Sequence, residues 1–550
     1  MMTKDKALFY IIIIVSIYLI GAVKIDLMDQ DATQYMTIAS NMYKSGDFMT
    51  IKWRDDYNYL DKPPMLFWLS ALSFSIFGVS AFAYRLPSIL INLLGIFATY
   101  KLGKMLYNEK TGLYAAIIYA SSFGIFVINS DVRTDTLLTG FVIFSIWQLM
   151  AYLQERKTVN FIFGFIGIGL AMSTKGPLGL IIPAIAIGPH LIYKGNWKDL
   201  FNPRWLIGLV IVFIVLLPMI ISTYYQYGMH GLKFHFWSQS FGRITGKSKW
   251  SDTTGPFFFV HSFLWSFIPW TIFALIAYIK KWILIFKKEA KTGHGEIITL
   301  SGITFVFIMM SMANYKLPHY VYVAFPLVAI LTASYIDQTF KAIKWEGFGK
   351  VLIWSQTIFN LLLWLVVILS FVLFRVSSFW IYFIAWFAFS YFIYSTLNIV
   401  SNLPKIFVST LVTILGVAFV LNTHFYPSLN PYQGRVLAGK YMKENKIPQD
   451  DIIIYPQDVH KPTIDVYSNM LIPRTNNFSR IDSLLKTKPS LYVFTNEEGL
   501  DSLESKDCRI ENEKIFKDYQ ISLLSLPFLN PATREKTLHD LYLLRVEKKD

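Results

Sequence analysis

The chain of 550 residues is 54% hydrophobic and 17% aromatic, carries 51 Lys and Arg against 36 Asp and Glu for a net charge of +15, and has a mean hydropathy of +0.43. That balance excludes an ordinary soluble enzyme, because the apolar residues gather in runs of about 20 with the charges between the runs rather than striping them. The charge does not point to nucleic acid either: no long basic run is interleaved with aromatics, and basic residues in short loops are the usual topology signal of a membrane protein. A single cysteine, Cys508, rules out an intramolecular disulfide and a thiolate metal cluster.

Lys4 and Lys6 precede an apolar run, Ala7–Val23, laid out like a signal peptide. No small-x-small cleavage pattern follows, so the run reads as an uncleaved first span. The spans continue at roughly 86–106, 111–129, 136–153, 160–174, 178–193, 205–222, 257–279, 297–313, 318–336, 351–373, 378–399 and 404–422, which with 7–24 makes thirteen. The apolar stretch 65–79 is left out, because 15 residues suit an interfacial or re-entrant helix better than a crossing. With that exclusion, the loops bearing Lys101/Lys104/Lys110, Arg156/Lys157, Lys194/Lys198/Arg204, Lys280/Lys281/Lys287/Lys288, Lys341/Lys344 and Lys405 all fall on the side of the N-terminus. That pattern makes the N-terminal side cytoplasmic. The opposite face receives 25–85, with helical patterns at Ala32–Lys44 and Pro64–Phe77 suited to the interface. It also receives 130–135, the turn near Lys175, 223–256, 314–318 and the tail. From about 424 the charged fraction rises, with strand-like runs at Asp451–Tyr455, Leu491–Thr495 and Leu541–Val546 and a helical pattern at Val436–Asn445. The expected fold is an all-α polytopic membrane domain over 1–423, followed by a small α/β extracytoplasmic domain over 424–550.

Five boundary features could carry chemistry, and all five fall on the outer face. In Asp29-Gln30-Asp31-Ala32-Thr33-Gln34-Tyr35 a carboxylate can act as general base, or Asp31 can cap the helix that starts near Ala32. Asp61-Lys62-Pro63-Pro64 opens the short apolar helix, since prolines are tolerated in a first turn. Lys62 then stands at headgroup level, as a phosphate ligand or a snorkelling lysine. Asp131-Val132-Arg133-Thr134-Asp135 sets two acids and an arginine at a membrane boundary, either contacting substrate or satisfying one another. Ser173-Thr174-Lys175-Gly176-Pro177 is a tight turn whose lysine either binds an anion or rests at the interface; it lacks the glycine spacing of a nucleotide phosphate loop. Asn314-Tyr315-Lys316-Leu317-Pro318-His319-Tyr320 joins two spans with groups able to bind phosphate and sugar hydroxyls, though tyrosines also form interface belts. The loop 223–256 adds Arg243, Lys247, Lys249 and Trp250 and is long enough to act as a lid. A membrane-face pocket of carboxylates and cations suits a lipid-linked phosphate donor.

The order of these motifs, from the aspartate-bearing first loop through Asp-Lys-Pro-Pro, Arg-Thr-Asp, Thr-Lys-Gly and Lys-Leu-Pro-His-Tyr, resembles the polyprenyl-phosphate-dependent glycosyltransferases of the membrane GT-C fold. The chain resembles the bacterial aminoarabinose transferases acting on lipid A and the protein O-mannosyltransferases, over residues 1 to about 340. The resemblance implies an inverting transfer from a polyprenyl-phosphate sugar to an acceptor hydroxyl or phosphate. It implies that Asp31, the aspartate four residues before Tyr35, is the catalytic first-loop acid, with Asp135 as a second acid. Lys62, Lys316, Tyr320, Arg133 and Arg243 are the expected donor-phosphate ligands. Asp29, Gln34, Tyr35, Lys175 and His319 are expected to line the substrate. No cofactor or metal is expected, because the cations can stabilise the leaving phosphate. The expected partners are membrane lipids, the lipid-linked donor and a glycolipid, glycan or protein acceptor. The chain departs from the aminoarabinose branch at Ala32 and Gln34, where those relatives carry glutamate and arginine, which leaves sugar and acceptor open. A transporter or flippase of lipid-linked sugars is the alternative; it would favour inverted repeats and midplane charges, and neither is visible. An assembly protein that works through its tail is a third reading.

Overall fold

The computed structural model describes residues 2–28, 31–54, 57–239, 242, 254–287, 296–342, 347–376, 378–397, 405–506 and 508–549. The membrane part is helical. It opens with α1 (Lys4–Lys24), then α2 (Asp31–Ser45), a two-stranded ribbon β1 (Lys52–Arg54) and β2 (Tyr57–Asn58), and α3 (Met65–Phe77). At 13 residues α3 is only about 20 Å long, too short to cross a bilayer. There follow α4 (Ala81–Leu106), α5 (Glu109–Ser121), α6 (Phe123–Ser130), α7 (Thr134–Glu155), α8 (Thr158–Lys175), α9 (Leu178–Tyr193) and α10 (Arg204–Lys233). The series continues with α11 (Phe258–Ser266), α12 (Thr271–Phe286), α13 (Glu296–Ser311), α14 (Phe325–Ala342), α15 (Gly347–Leu373), α16 (Phe379–Leu397) and α17 (Lys405–Val420).

Among the described residues nine helices are long and apolar enough to span, and the bent pair α5–α6 makes a tenth. The other three expected spans are α9 and α13, each 16 residues, and the broken pair α11–α12. Apolar periodicity does not show that two spans are broken. Ser122 leaves the helical region between α5 and α6, which meet at 52°. The freed groups of the two breaks satisfy each other: the Phe123 N–H donates to the Ile268 carbonyl at 2.8 Å, and Trp270 Nε1 donates to Ser121 Oγ at 3.0 Å. This is how non-helical backbone survives at membrane depth, buried in protein rather than facing lipid.

Small residues bring the helices together. A methyl on Gly140 of α7 would sit 2.5 Å from the Ile91 carbonyl oxygen of α4, and one on Gly112 of α5 would meet the Tyr100 carbonyl at 2.5 Å. Arg85 of α4 is fully buried and fastens the end of α1, donating to the carbonyls of Ala22 at 2.9 Å, Ile25 at 2.6 Å and Ser130 at 2.7 Å. This fixes where the first loop leaves the membrane part.

The helical run of α17 continues through a π turn, Leu421–Phe425, and further short turns to Tyr432. It thus carries past the expected boundary at 423. Beyond it lie α18 (Gly434–Glu444), β3 (Ile452–Ile454), α19 (Pro462–Ser468), α20 (Phe478–Leu485), β4 (Leu491–Asn496), α21 (Glu497–Glu504), β5 (Cys508–Asp518) and β6 (His539–Lys548). The sheet order is β3-β4-β6-β5; β3 runs parallel to β4, and the other pairs are antiparallel. Alternate residues feed two cores: Ile452, Ile454, Phe494 and Leu543 pack with Met442 and Ile464, and Ile453, Val493, Leu544 and Val546 pack with Ile481 and Leu503.

This region is docked on the first loop. Arg54 of β1 donates to Asp465 Oδ2 and the Ile472 carbonyl, both at 2.6 Å, and His460 Nε2 lies 2.8 Å from the same carboxylate oxygen. All three side chains are buried. Lys440 Nζ meets both oxygens of Asp26 at 2.8 Å, and the Leu27 N–H donates to Tyr467 Oη at 2.7 Å.

Candidate active site

The first loop, the turn before α7, the end of α8 and the Pro318–Ala324 turn converge on one face. Asp31 opens α2, and its carboxylate accepts a hydrogen bond from Arg133 Nη1. Arg133 also donates to Asp131 Oδ2 through Nε at 3.0 Å and Nη2 at 2.8 Å. Burial opposes the charge on Arg133, but the Asp131 and Asp31 carboxylates outweigh it and hold its pKa above the ordinary value. The Asp31 side chain keeps 40% of its exposure, so it remains open to a substrate. The second oxygen of Asp131 is buried without a hydrogen-bond partner among the described residues.

Two residues beyond Arg133, Asp135 lies in the first turn of α7 and is buried. Lys175 Nζ donates to its Oδ1 at 2.5 Å, and His319 Nε2 stands 3.6 Å from its Oδ2. Lys175 is the last residue of α8, and Gly176, at φ +65°, turns the chain sharply after it. The ammonium sits 3.7 Å over the Tyr320 ring, a cation–π contact.

Lys62, Lys175 and Tyr320 share a cavity of about 90 Å³. His235, Gln239 and Tyr315 add polar groups; Leu178 and Ile181 of α9, with Met309 and Met310 of α13, supply apolar walls. His235 and Gln239 arrive because α10 breaks at Gly228, φ +59°, and runs on through a π turn, Phe234–Ser238, where the sequence suggested an outer loop from 223. Cationic and hydroxyl groups beside apolar walls fit an anion with a hydrocarbon chain.

Other expected site residues are placed differently. Lys316 is buried and donates to the Thr254 carbonyl at 3.1 Å, and it is not among the residues lining the lysine cavity. Arg133 is likewise outside that lining and is held by the two aspartates. The Tyr35 ring is buried and packs edge-on against Phe67 and Tyr59, with centroids at 5.7 and 6.2 Å. Gln34 is half-buried on α2. Asp29, Arg243, Lys247, Lys249 and Trp250 lie outside the described residues. Sequence reasoning missed Asp131 as a site residue, although its motif was noted, and it missed His235 and Gln239. Among the described residues no group of three or more His, Cys, Asp or Glu is placed to hold a metal.

The fold is the GT-C fold of membrane glycosyltransferases, set in an integral membrane protein. The particular likeness is to ArnT from Cupriavidus metallidurans, solved bound to undecaprenyl phosphate. It matches with a TM-score of 0.75 over 99% of this chain and 98% of that one, at 15% identity. Residues 61–221 match the family model described as dolichyl-phosphate-mannose-protein mannosyltransferase. In sequence the chain is 28% identical over 325 residues to an uncharacterized protein of Aquifex aeolicus, covering 58% of this chain and 62% of that one. It is 25% identical over 345 residues to an undecaprenyl phosphate-alpha-4-amino-4-deoxy-L-arabinose arabinosyl transferase of Edwardsiella ictaluri, covering 60% of this chain and 59% of that one. The matched region thus spans about three fifths of the length of these curated relatives.

Proposed function

We propose that the protein is a membrane glycosyltransferase that moves a sugar from a polyprenyl-phosphate donor to a hydroxyl or phosphate of an extracytoplasmic acceptor, with inversion. The observation that carries this reading is the cavity in which Lys62, Lys175 and Tyr320 sit beside the apolar walls of α9 and α13, tied through the Lys175–Asp135 pair to the start of α7, two residues after Arg133. The aminoarabinose transferase relatives and the undecaprenyl phosphate-bound ArnT structure support the same donor class.

In this mechanism the donor phosphate lies against Lys62 and Lys175 with its chain along Leu178, Ile181 and Met310. Asp31 takes the proton of the acceptor oxygen as that oxygen bonds to the anomeric carbon. The bond from that carbon to the phosphate oxygen breaks, and its electron pair goes to the phosphate. Lysine ammonium groups stabilise the charge that develops there. Arg133 aims the Asp31 carboxylate, and Asp135 holds Lys175 in place, a positioning rather than a proton-transfer role. The cations supply the positive charge, so no metal is required. The charge pattern of the loops supports a cytoplasmic N-terminus, with the site and the sheet region on the outer side.

The test uses the full chain in nanodiscs with an undecaprenyl-phosphate sugar and extracted envelope glycolipids as acceptors. Wild type forms a covalent glycosylated product and Asp31→Asn does not, although it still binds undecaprenyl phosphate. Undiminished transfer by Asp31→Asn removes Asp31 from the mechanism, and, in sealed proteoliposomes of the same protein, passage of donor across the membrane without a covalent product rejects the transferase reading.

A further inference from the structure

The segment between β5 and β6 contains Ile521-Ser-Leu-Leu-Ser-Leu-Pro-Phe-Leu529, which takes no part in the candidate site. Ile521 and Phe528 face inward and join Phe374 and Leu429 in a small core, against which Met28 of the first loop also packs. Tyr519 stacks on Phe528 with centroids 3.8 Å apart, and its hydroxyl accepts the Ser525 N–H at 3.1 Å and lies 3.0 Å from the Leu523 carbonyl. The turn is therefore fastened from inside. Leu529 packs against the same core, while Leu523, Leu524 and Leu526 face out, 68%, 38% and 82% exposed.

The same core sets the height of the turn. Phe374 directly follows the last residue of α15, and Arg534 donates to the Leu373 carbonyl at 2.9 Å with its guanidinium 4.2 Å over the Phe374 ring. Val372 at the end of α15 and Phe379 at the start of α16 are 71% and 83% exposed on the lipid-facing side of a spanning hairpin. The leucines thus lie where that hairpin meets the membrane surface, on the same side as the first loop. Beside them is a cavity of about 450 Å³, bordered by Ser522 and Leu523 and lined by Lys461, His539 and the paired Arg435 and Asp518. Apolar tips beside polar and charged groups match the step from acyl chains to headgroups. In water the same tips would form an unfavourable apolar patch.

We propose that Leu523, Leu524 and Leu526 insert into the membrane leaflet on the site's side and anchor the sheet region to the lipid surface. The sheet region is then held at two places: by lipid through this turn, and by the first loop through Arg54 and Asp465.

Spin labels test this in the full chain in nanodiscs, with the buried Cys508 replaced by alanine. Labels on Leu523→Cys and Leu526→Cys collide with oxygen more than with a water-soluble nickel chelate, and a label on the exposed Glu498→Cys shows the reverse. Dominant nickel collisions at 523 and 526 overturn the proposal, and so does shielding from both agents, which would mean a protein covers the turn. The unmodified chain gives a second measurement. A lipid with a photoreactive acyl chain, in the same nanodiscs, labels residues 523–526; labelling confined to the spanning helices overturns the proposal.

Discussion

Lys175 Nζ lies 2.5 Å from Asp135 Oδ1, with the two side chains only 13% and 2% exposed. A buried pair contributes little net stability, yet removing one partner strands the other at a cost of about 3–5 kcal/mol. Lys175→Met is therefore expected to lower the thermal midpoint of the detergent-purified protein sharply. The double variant Lys175→Met/Asp135→Leu recovers most of that midpoint, while donor affinity stays lost. A double variant as unstable as the single one would show that the two residues are not coupled.

Asp31→Asn is expected to reduce kcat by roughly 10²–10⁴, the range for loss of a general base. The donor KM should hardly move, because the cavity proposed for the phosphate is built from other residues. Asp29→Asn should leave kcat near wild type. Steady-state kinetics with a labelled donor separates the two aspartates; a large kcat loss at Asp29 alone would transfer the base role to it.

Lys62→Ala is expected to raise the apparent donor KM about tenfold or more, since hydrogen bonds to charged groups contribute about 1.5–3 kcal/mol. Water-soluble acceptor analogues should show an unchanged KM. A donor KM that stays put would locate the phosphate away from the lysine cavity.

The spans were legible because bilayer thickness demands long apolar runs. The breaks at Ser122 and at 267–270 were not, because each depends on hydrogen bonds from the other chain segment. In the sheet, β5 escaped notice. Its sequence, Cys-Arg-Ile-Glu-Asn-Glu-Lys-Ile-Phe-Lys-Asp, is dense in charge, as suits a strand at the sheet edge. Site residues were legible where a charge stands at an apolar boundary for no local reason, as with Lys62 and Lys175. Their partners were not: Asp31 and Arg133 are 102 positions apart. His235 and Gln239 reach the cavity only through the break at Gly228.

Asp465→Leu should weaken the docking of the sheet region. Arg54 and His460 are buried beside it, and the arginine would lose its carboxylate, at a cost of about 3–5 kcal/mol. Limited proteolysis is expected to cut within 424–550 sooner than in wild type, with the spanning helices left intact. An unchanged cleavage rate would show that other contacts, such as Lys440–Asp26, hold the region.

Strand β6 is the last of the six in the chain, and it sits between β4 and β5 in the sheet. Until it is synthesised, β4 and β5 have no ladder to join them. Neither apolar face of the sheet can close until residues 539–548 arrive. Assembly over the membrane face therefore finishes with the sheet, after every helix that builds the lysine cavity has already been inserted.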